Sequence, residues 1–188
     1  MDRIAVRLPN PVGDVVAATP LLKILRRQNP EARLLAVGDE RAAEVLAGFD
    51  PIDEFEVIDS RERRGWLGPR REARRLRRLM VNRILLLPNS FSSAYAAWLA
   101  GIPERIGRQA WGRTCLLSDS LPPISEDGPR PMTQVYSELV GEVKPPAISL
   151  ATTMREETLA QETLEGLAKH DIHPPFLGVA PGAAFGPS

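Results

Sequence analysis

Residues 3–22 read RIAVRLPNPVGDVVAATPLL, and this stretch changes character twice in a way that decides the fold class. Arg3-Ile4-Ala5-Val6-Arg7-Leu8 reads as a short strand, and Pro9-Asn10-Pro11-Val12-Gly13 as a turn. From Asp14 to Gln28 the apolar residues Val15, Val16, Ala18, Leu22 and Leu25 fall at helical spacing, and Asn29-Pro30 stops the helix. Pro20 within it predicts a kink or a late helix start. A strand, a tight turn and a helix form the opening unit of an α/β fold.

The unit repeats along the chain. Strands are expected at Arg33 to Val37, Glu54 to Ile58, Arg83 to Leu87 and, briefly, Arg105 to Gly107. Helices are expected at Asp39 to Gly48, Pro69 to Met80, Phe91 to Ala100 and Met132 to Val143. The run Ile84-Leu85-Leu86-Leu87 suits a central parallel strand covered on both faces. Leu121 to Arg130, with Pro122, Pro123, Gly128 and Pro129, reads as a loop. The expected architecture is a Rossmann-like parallel sheet with flanking helices over residues 1–150, then a connecting helix within 151–174. Residues 175–188 read as one strand and turn of a second, incomplete domain, because a lone terminal strand is a poor end for a domain.

At 188 residues, 43% apolar and 26% charged, the chain can bury one domain and some extra, and neither disorder nor a membrane span is indicated. Its longest apolar run is far below the roughly 20 residues that cross a bilayer. The charged start, with Pro9, does not make a secretory signal, so a cytoplasmic location is expected. Cys115 is the single cysteine; it is expected to be a small buried hydrophobe. With only His170 and His173 beside it the chain offers no zinc spacing, and neither a metal nor a cofactor is expected.

Net charge is zero, but residues 61–83 carry ten Arg against Glu62 and Glu72. Within the helix, Ala73, Leu76, Leu79 and Met80 make a plausible buried stripe, leaving Arg70, Arg71, Arg74, Arg75, Arg77 and Arg78 on a solvated arc. Arg61, Arg63 and Arg64 fall in the loop after a strand, where guanidinium forks can grip phosphate or carboxylate, or simply meet solvent.

Ligands of open parallel sheets bind beyond the carboxyl ends of the strands. Asn10 to Asp14 occupies that place after the first strand. Gly13 permits a tight backbone there, and Asp14 either caps the helix or projects into the cleft as a general base. No GxGxxG, Walker or G-x-S-x-G sequence is present, which counts against dinucleotide, P-loop and hydrolase readings. Asn89 and Ser90, after the fourth strand, can cap a helix or bind sugar hydroxyls, with capping the more natural role for Ser90. Arg105, Arg108 and Arg113, with Trp111, suit carbohydrate or phosphate contact and equally a surface loop.

Three segments, RLPNPVGDVVAATPLL (7–22), LLLPNSFSSAYAAWLAGIPERIGRQAWGRTCLLSD (85–119) and VAPGAAFGPS (179–188), together resemble the ADP-heptose:lipopolysaccharide heptosyltransferases of glycosyltransferase family 9, the second and third most closely those of type II. The resemblance implies a GT-B enzyme whose N-terminal Rossmann-like domain holds the acceptor sugar and whose C-terminal domain holds ADP-heptose. It implies inverting, metal-free transfer of heptose to the Kdo- and heptose-bearing inner core of a lipid A acceptor. Asp14 falls on the family's catalytic base. Arg61, Arg63, Arg64, Asn89, Ser90 and Arg113 fall on the acceptor side, and Gly182, Phe185 and Gly186 in the donor-side loop. Neither the family's lysine after that loop nor its D-S-G-x-x-H motif follows, so the 188 residues are expected to bind acceptor without transferring heptose. Peripheral contact with the inner membrane is implied as well.

The alternatives are heptosyltransferase I or another family member, and a non-catalytic Rossmann-like module binding a polyanion such as nucleic acid. Zero net charge, and the lack of aromatic residues among Arg70–Arg78 for base stacking, speak against nucleic acid.

Overall fold

A computed structural model of the chain describes residues 2–59, 65, 67–124, 130–148 and 154–169. It divides into two compact units, Met1–Ala151 and Thr152–Ser188. The described residues of the first contain six parallel strands: β1 Arg3–Arg7, β2 Arg33–Gly38, β3 Glu54–Val57, β4 Arg83–Leu86, β5 Glu104–Arg108 and β6 Asp119–Leu121. Their order across the sheet is β3-β2-β1-β4-β5-β6, the doubly wound Rossmann-like arrangement. In the second unit the described part is one helix, α7 Met154–Ala168.

β1 lies between β2 and β4, with Val6 opposite Ala36 on one side and Leu85 on the other. Alternate residues of these strands supply two cores. Ile4, Val6, Leu8, Leu34 and Leu85 pack on one face against Leu21, Leu22 and Leu25; Ala5, Leu35, Ile84 and Leu86 pack on the other against Leu76, Ala96 and Ala97. Burial on both faces is why β4 is apolar from Ile84 to Leu86.

Helices α1 Val12–Ala17, α2 Thr19–Gln28, α3 Glu40–Val45, α4 Gly68–Arg78, α5 Phe91–Leu99 and α6 Met132–Ser137 join the strands or follow them. The single helix expected over Asp14 to Gln28 is two, because Pro20 lacks an amide hydrogen and serves as a first-turn residue of α2. Asp39 caps α3 by accepting from the Ala42 amide at 3.0 Å.

β6 lies where a loop was expected to begin. It is a three-residue edge strand paired with β5 through Gly107 and Ser120, and its polar residues carry no alternation to reveal it. The buried stripe of α4 also needs correcting. Ala73 and Leu76 are buried, but Met80 is exposed and Glu72 is buried instead. Glu72 accepts from Arg7 Nε at 2.6 Å, and Arg7 also donates to the carbonyls of Leu8 and Val37. The charged end of a central strand is thus neutralised inside the protein.

A second ion cluster fastens β5 to the segment after α6. Glu138 accepts from both Arg108 and Arg130, and Arg108 donates further to the carbonyls of Pro122 and Val135. Burial alone would raise the Glu138 carboxyl; the Arg130 and Arg108 guanidiniums outweigh it and hold the group below its ordinary value. Asp53 is likewise lowered, its burial outweighed by the Leu34 amide and Arg26. Carboxyls depressed in the folded state stabilise it above their unfolded values, and that stabilisation is lost as pH falls through the folded ones. The urea midpoint should therefore drop between about pH 5 and pH 3, and Glu138→Gln should flatten that drop. An acid profile identical to that of the parent protein would refute the assignment.

Candidate functional site

The strand order reverses between β1 and β4, so the crevice at the carboxyl ends of these two strands is where a ligand belongs. Asp14 stands at its β1 side. It is not the helix cap: the chain enters α1 through Pro11, no side chain caps the helix, and Asp14 is the acidic residue of the first turn. Its amide donates to Pro11 O at 3.0 Å. With its hydrogen bonding to the helix made by the backbone, the half-buried carboxylate is left beside the positive end of the helix dipole.

Gly13 also departs from expectation. Its φ is not in the left-handed region, and a Cβ built on it would meet nothing within 4 Å. The fold does not demand glycine here; the space over residue 13, next to Asp14, is open. Across from it stands Tyr136 of α6, which is buried, 5% exposed. Burial raises the Tyr136 phenol, and the neighbouring Asp14 charge raises it further. Tyr136 therefore stays protonated as a wall of the site. Nothing in the pattern of its own helix distinguished it from a core residue.

The β4 side of the crevice is built from Pro88, Asn89, Ser90 and Arg113. Ser90 caps α5, its Oγ accepting from the Ser93 amide at 3.3 Å, while Asn89 is exposed. Arg113, beyond β5, reaches back to donate to Pro88 O at 2.5 Å. It is wholly covered, yet its Nε and second Nη have no partner. Gly107 makes room for it: a Cβ there would lie 2.8 Å from that nitrogen. Burial pulls the guanidinium down to about 10, so it remains cationic at neutral pH. Among the described residues no carboxylate pairs with this buried cation, and burying a charge uncompensated is costly. Its sequence neighbours Gly112 and Thr114 are exposed. In this conformation Arg113 holds the turn at Pro88 through its bond to that carbonyl and puts a buried positive charge beside it.

The structure thus brings Asn89, Ser90 and Arg113 together, with Asp14 on the adjoining strand's turn. Arg61, Arg63 and Arg64, and likewise Gly182, Phe185 and Gly186, lie outside the described residues. Arg105 is tied to the carbonyls of Ile102, Pro103 and Leu116, and Arg108 to Glu138, so both hold the fold. Cys115 is exposed, not buried; it sits on the tight turn Thr114–Leu116, and the inward positions around it go to Arg113 and Leu117. A hollow of about 480 Å³ lined by Leu46, Phe49 and Phe55 opens at the amino end of β3, the wrong edge of the sheet for a ligand. Among the described residues no group of three His, Cys, Asp or Glu side chains is placed to hold a metal ion.

No protein-family model matches the chain. It is 28% identical over 190 residues to lipooligosaccharide heptosyltransferase 2 of Haemophilus ducreyi, covering 96% of this chain and 54% of that protein. It is 25% identical to lipopolysaccharide heptosyltransferase 2 of Escherichia coli K12, covering 99% and 56%. Among solved structures, the glycosyl transferase family 9 protein of Veillonella parvula aligns with a TM-score of 0.75 at 19% identity, over 93% of this chain and 51% of that one. E. coli ADP-heptose heptosyltransferase II aligns at 0.67 and 22%, over 93% and 52%. E. coli heptosyltransferase WaaC with ADP-2-deoxy-2-fluoro heptose aligns at 0.58 and 16%, over 87% and 54%. The chain spans about half the length of the curated relatives it matches. Sequence and fold agree with the resemblance carried by the three segments: it is to the lipopolysaccharide heptosyltransferases of family 9, and the sequence matches bear the type 2 name.

Proposed function

We propose that this chain supplies the acceptor side of an inverting heptosyl transfer, from ADP-heptose to the inner core of lipopolysaccharide. The observation that carries the reading is Asp14, an uncapping carboxylate in the first turn of α1 at the switch point of the sheet, with open space over Gly13 beside it.

In the reaction the acceptor hydroxyl oxygen attacks the anomeric carbon of the heptose while the bond from that carbon to ADP breaks on the opposite face. The hydroxyl proton passes to Asp14, and ADP leaves with the bonding pair. Tyr136, kept protonated by burial and by Asp14, leaves Asp14 as the proton acceptor of the pair. The acceptor's Kdo carboxylates and phosphates are anions, which the field of Arg113 and the arginines Arg61, Arg63 and Arg64 favour. Asn89 offers an amide to sugar hydroxyls. The departing diphosphate needs cations or helix amino ends to meet its charge; Gly182, Phe185 and Gly186 are assigned to the loop on that side. The protein would work in the cytoplasm, peripherally at the inner face of the inner membrane.

The test is calorimetric titration of the chain with a deacylated, Kdo-bearing lipid A acceptor. Saturable binding is expected, and Arg113→Met, with its fold checked by circular dichroism, should weaken it by about tenfold or more. Absence of acceptor binding together with salt-dependent binding of generic duplex DNA would replace this reading with the polyanion-binding module.

A further inference from the structure

The helices α4 and α5 pack side by side on one face of the sheet. Ala73 and Leu76 of α4 share a core with Ala94, Ala96 and Ala97 of α5, and Arg77 donates to Leu99 O at 2.6 Å. What each helix turns away from that core differs sharply. From α4, Arg71, Arg74 and Arg78 stand exposed at helical spacing, with no acidic partner among the described residues. From α5, Phe91, Tyr95 and Trp98 form a stacked ladder, with centroids 5.7 and 5.9 Å apart.

Phe91 is 52% exposed and Trp98 49%. Trp111 is 99% exposed and Met80 76%, and Gly112 lies against the Phe91 ring. Nothing in the catalytic reading uses these groups. Isolated exposed apolar residues are ordinary, but an aromatic ladder running parallel to a row of guanidiniums is a patch with two chemistries side by side.

We infer that the α4–α5 face docks on an anionic lipid bilayer, the guanidiniums of Arg71, Arg74 and Arg78 meeting headgroup phosphates while Phe91, Trp98 and Trp111 enter the interfacial layer. Charge complementarity selects the occupant. Tryptophan, tyrosine and phenylalanine favour the depth where headgroups meet acyl chains, and arginines beside them meet negative charge at that level. Nucleic acid would satisfy the guanidiniums alone, because the aromatic rings lie on the neighbouring helix instead of among them. Among the described residues no helix is long and apolar enough to cross a membrane, so this face would provide surface binding. Phe91 opens α5 immediately after the Pro88-Asn89-Ser90 turn, so docking would bring the crevice close to the plane in which a lipid-linked acceptor sits.

The inference rests on the peripheral-membrane part of the proposed function, and its test is kept apart from the acceptor titration by using neither sugar donor nor acceptor. The chain is sedimented with vesicles of phosphatidylcholine and phosphatidylglycerol in equal parts, with vesicles of phosphatidylcholine alone, and is titrated with duplex DNA. Binding to the first and not to the second is expected. The triple variant Arg71→Gln, Arg74→Gln, Arg78→Gln should lose roughly a hundredfold in affinity, from the contribution of each basic residue near an anionic surface. The pair Phe91→Ser, Trp98→Ser, with every arginine intact, should lose at least about tenfold. The inference is overturned by failure to sediment with anionic vesicles, by aromatic variants that bind undiminished, by DNA binding in place of vesicle binding, or by a stable dimer buried on this face. Acceptor binding that survives any of these leaves the transfer reading standing.

Discussion

Asp14→Asn lowers the turnover of heptosyl transfer by about 10²–10⁴-fold and leaves acceptor affinity nearly unchanged. The substitution keeps the shape of the side chain and the backbone bond from residue 14 to Pro11. What it removes is the ability to take a proton from the attacking hydroxyl. Because Asp14 does not cap α1, little stability goes with it: the favourable placement of a negative charge in a first turn is worth about 0.3–1 kcal/mol. The assay requires the chain continued into a donor-binding half such as that of the E. coli relative. Turnover within a few fold of the parent protein would remove Asp14 from the chemistry.

Glu72→Ala should destabilise the protein by about 3–5 kcal/mol, the cost of leaving one charge of a buried pair uncompensated. Arg7 and Glu72 are 3% and 5% exposed and meet at 2.6 Å. Without Glu72, Arg7 keeps its bonds to the Leu8 and Val37 carbonyls but has no counter-charge. Replacing both partners, Arg7→Met with Glu72→Leu, should recover most of the loss, since well-packed apolar side chains can substitute for such a pair. Urea unfolding of the two variants decides it. A loss below about 1 kcal/mol in Glu72→Ala would mean that the pair is solvated, as surface pairs are.

Much of the sheet was legible because its strands are buried on both faces. Ile84 to Leu87 could hardly be anything but central, and the helix starts at Asp39 and Ser90 followed from residues that supply a capping oxygen. Pro20 marked a helix start as surely as a kink. Other features were decided by partners remote in sequence. Nothing near either residue in sequence pairs Arg7 with Glu72; β1 and α4 bring them together over a separation of 65 residues. Asp14 looked like a cap because the preferred capping residues include aspartate, whereas the helix begins at Val12 after Pro11. β6 exists by pairing with β5, not by its own pattern. Met80 carries a positive φ of 49 at the end of α4 and turns outward, which helical spacing alone does not foresee.

The site was legible in the same uneven way. The first turn and the turn after β4 were placed by topology alone, since ligands gather where strand order reverses. Arg113 stood among several arginines of one segment; only its burial without a carboxylate, over Gly107, separates it from Arg105 and Arg108. Tyr136 gave no sign in sequence, because a tyrosine on an apolar helical face is ordinarily core.

Whether the β1–β4 crevice receives the acceptor is decided by amide chemical-shift mapping of the isotopically labelled chain titrated with the deacylated, Kdo-bearing acceptor. Saturable shifts are expected at Val12–Val16, Asn89–Ser93 and Gly112–Thr114, with those of the last two groups reduced in Arg113→Met. Shifts confined to the hollow around Leu46, Phe49 and Phe55, or to the exposed arginines of α4, with the crevice silent, would place the acceptor elsewhere.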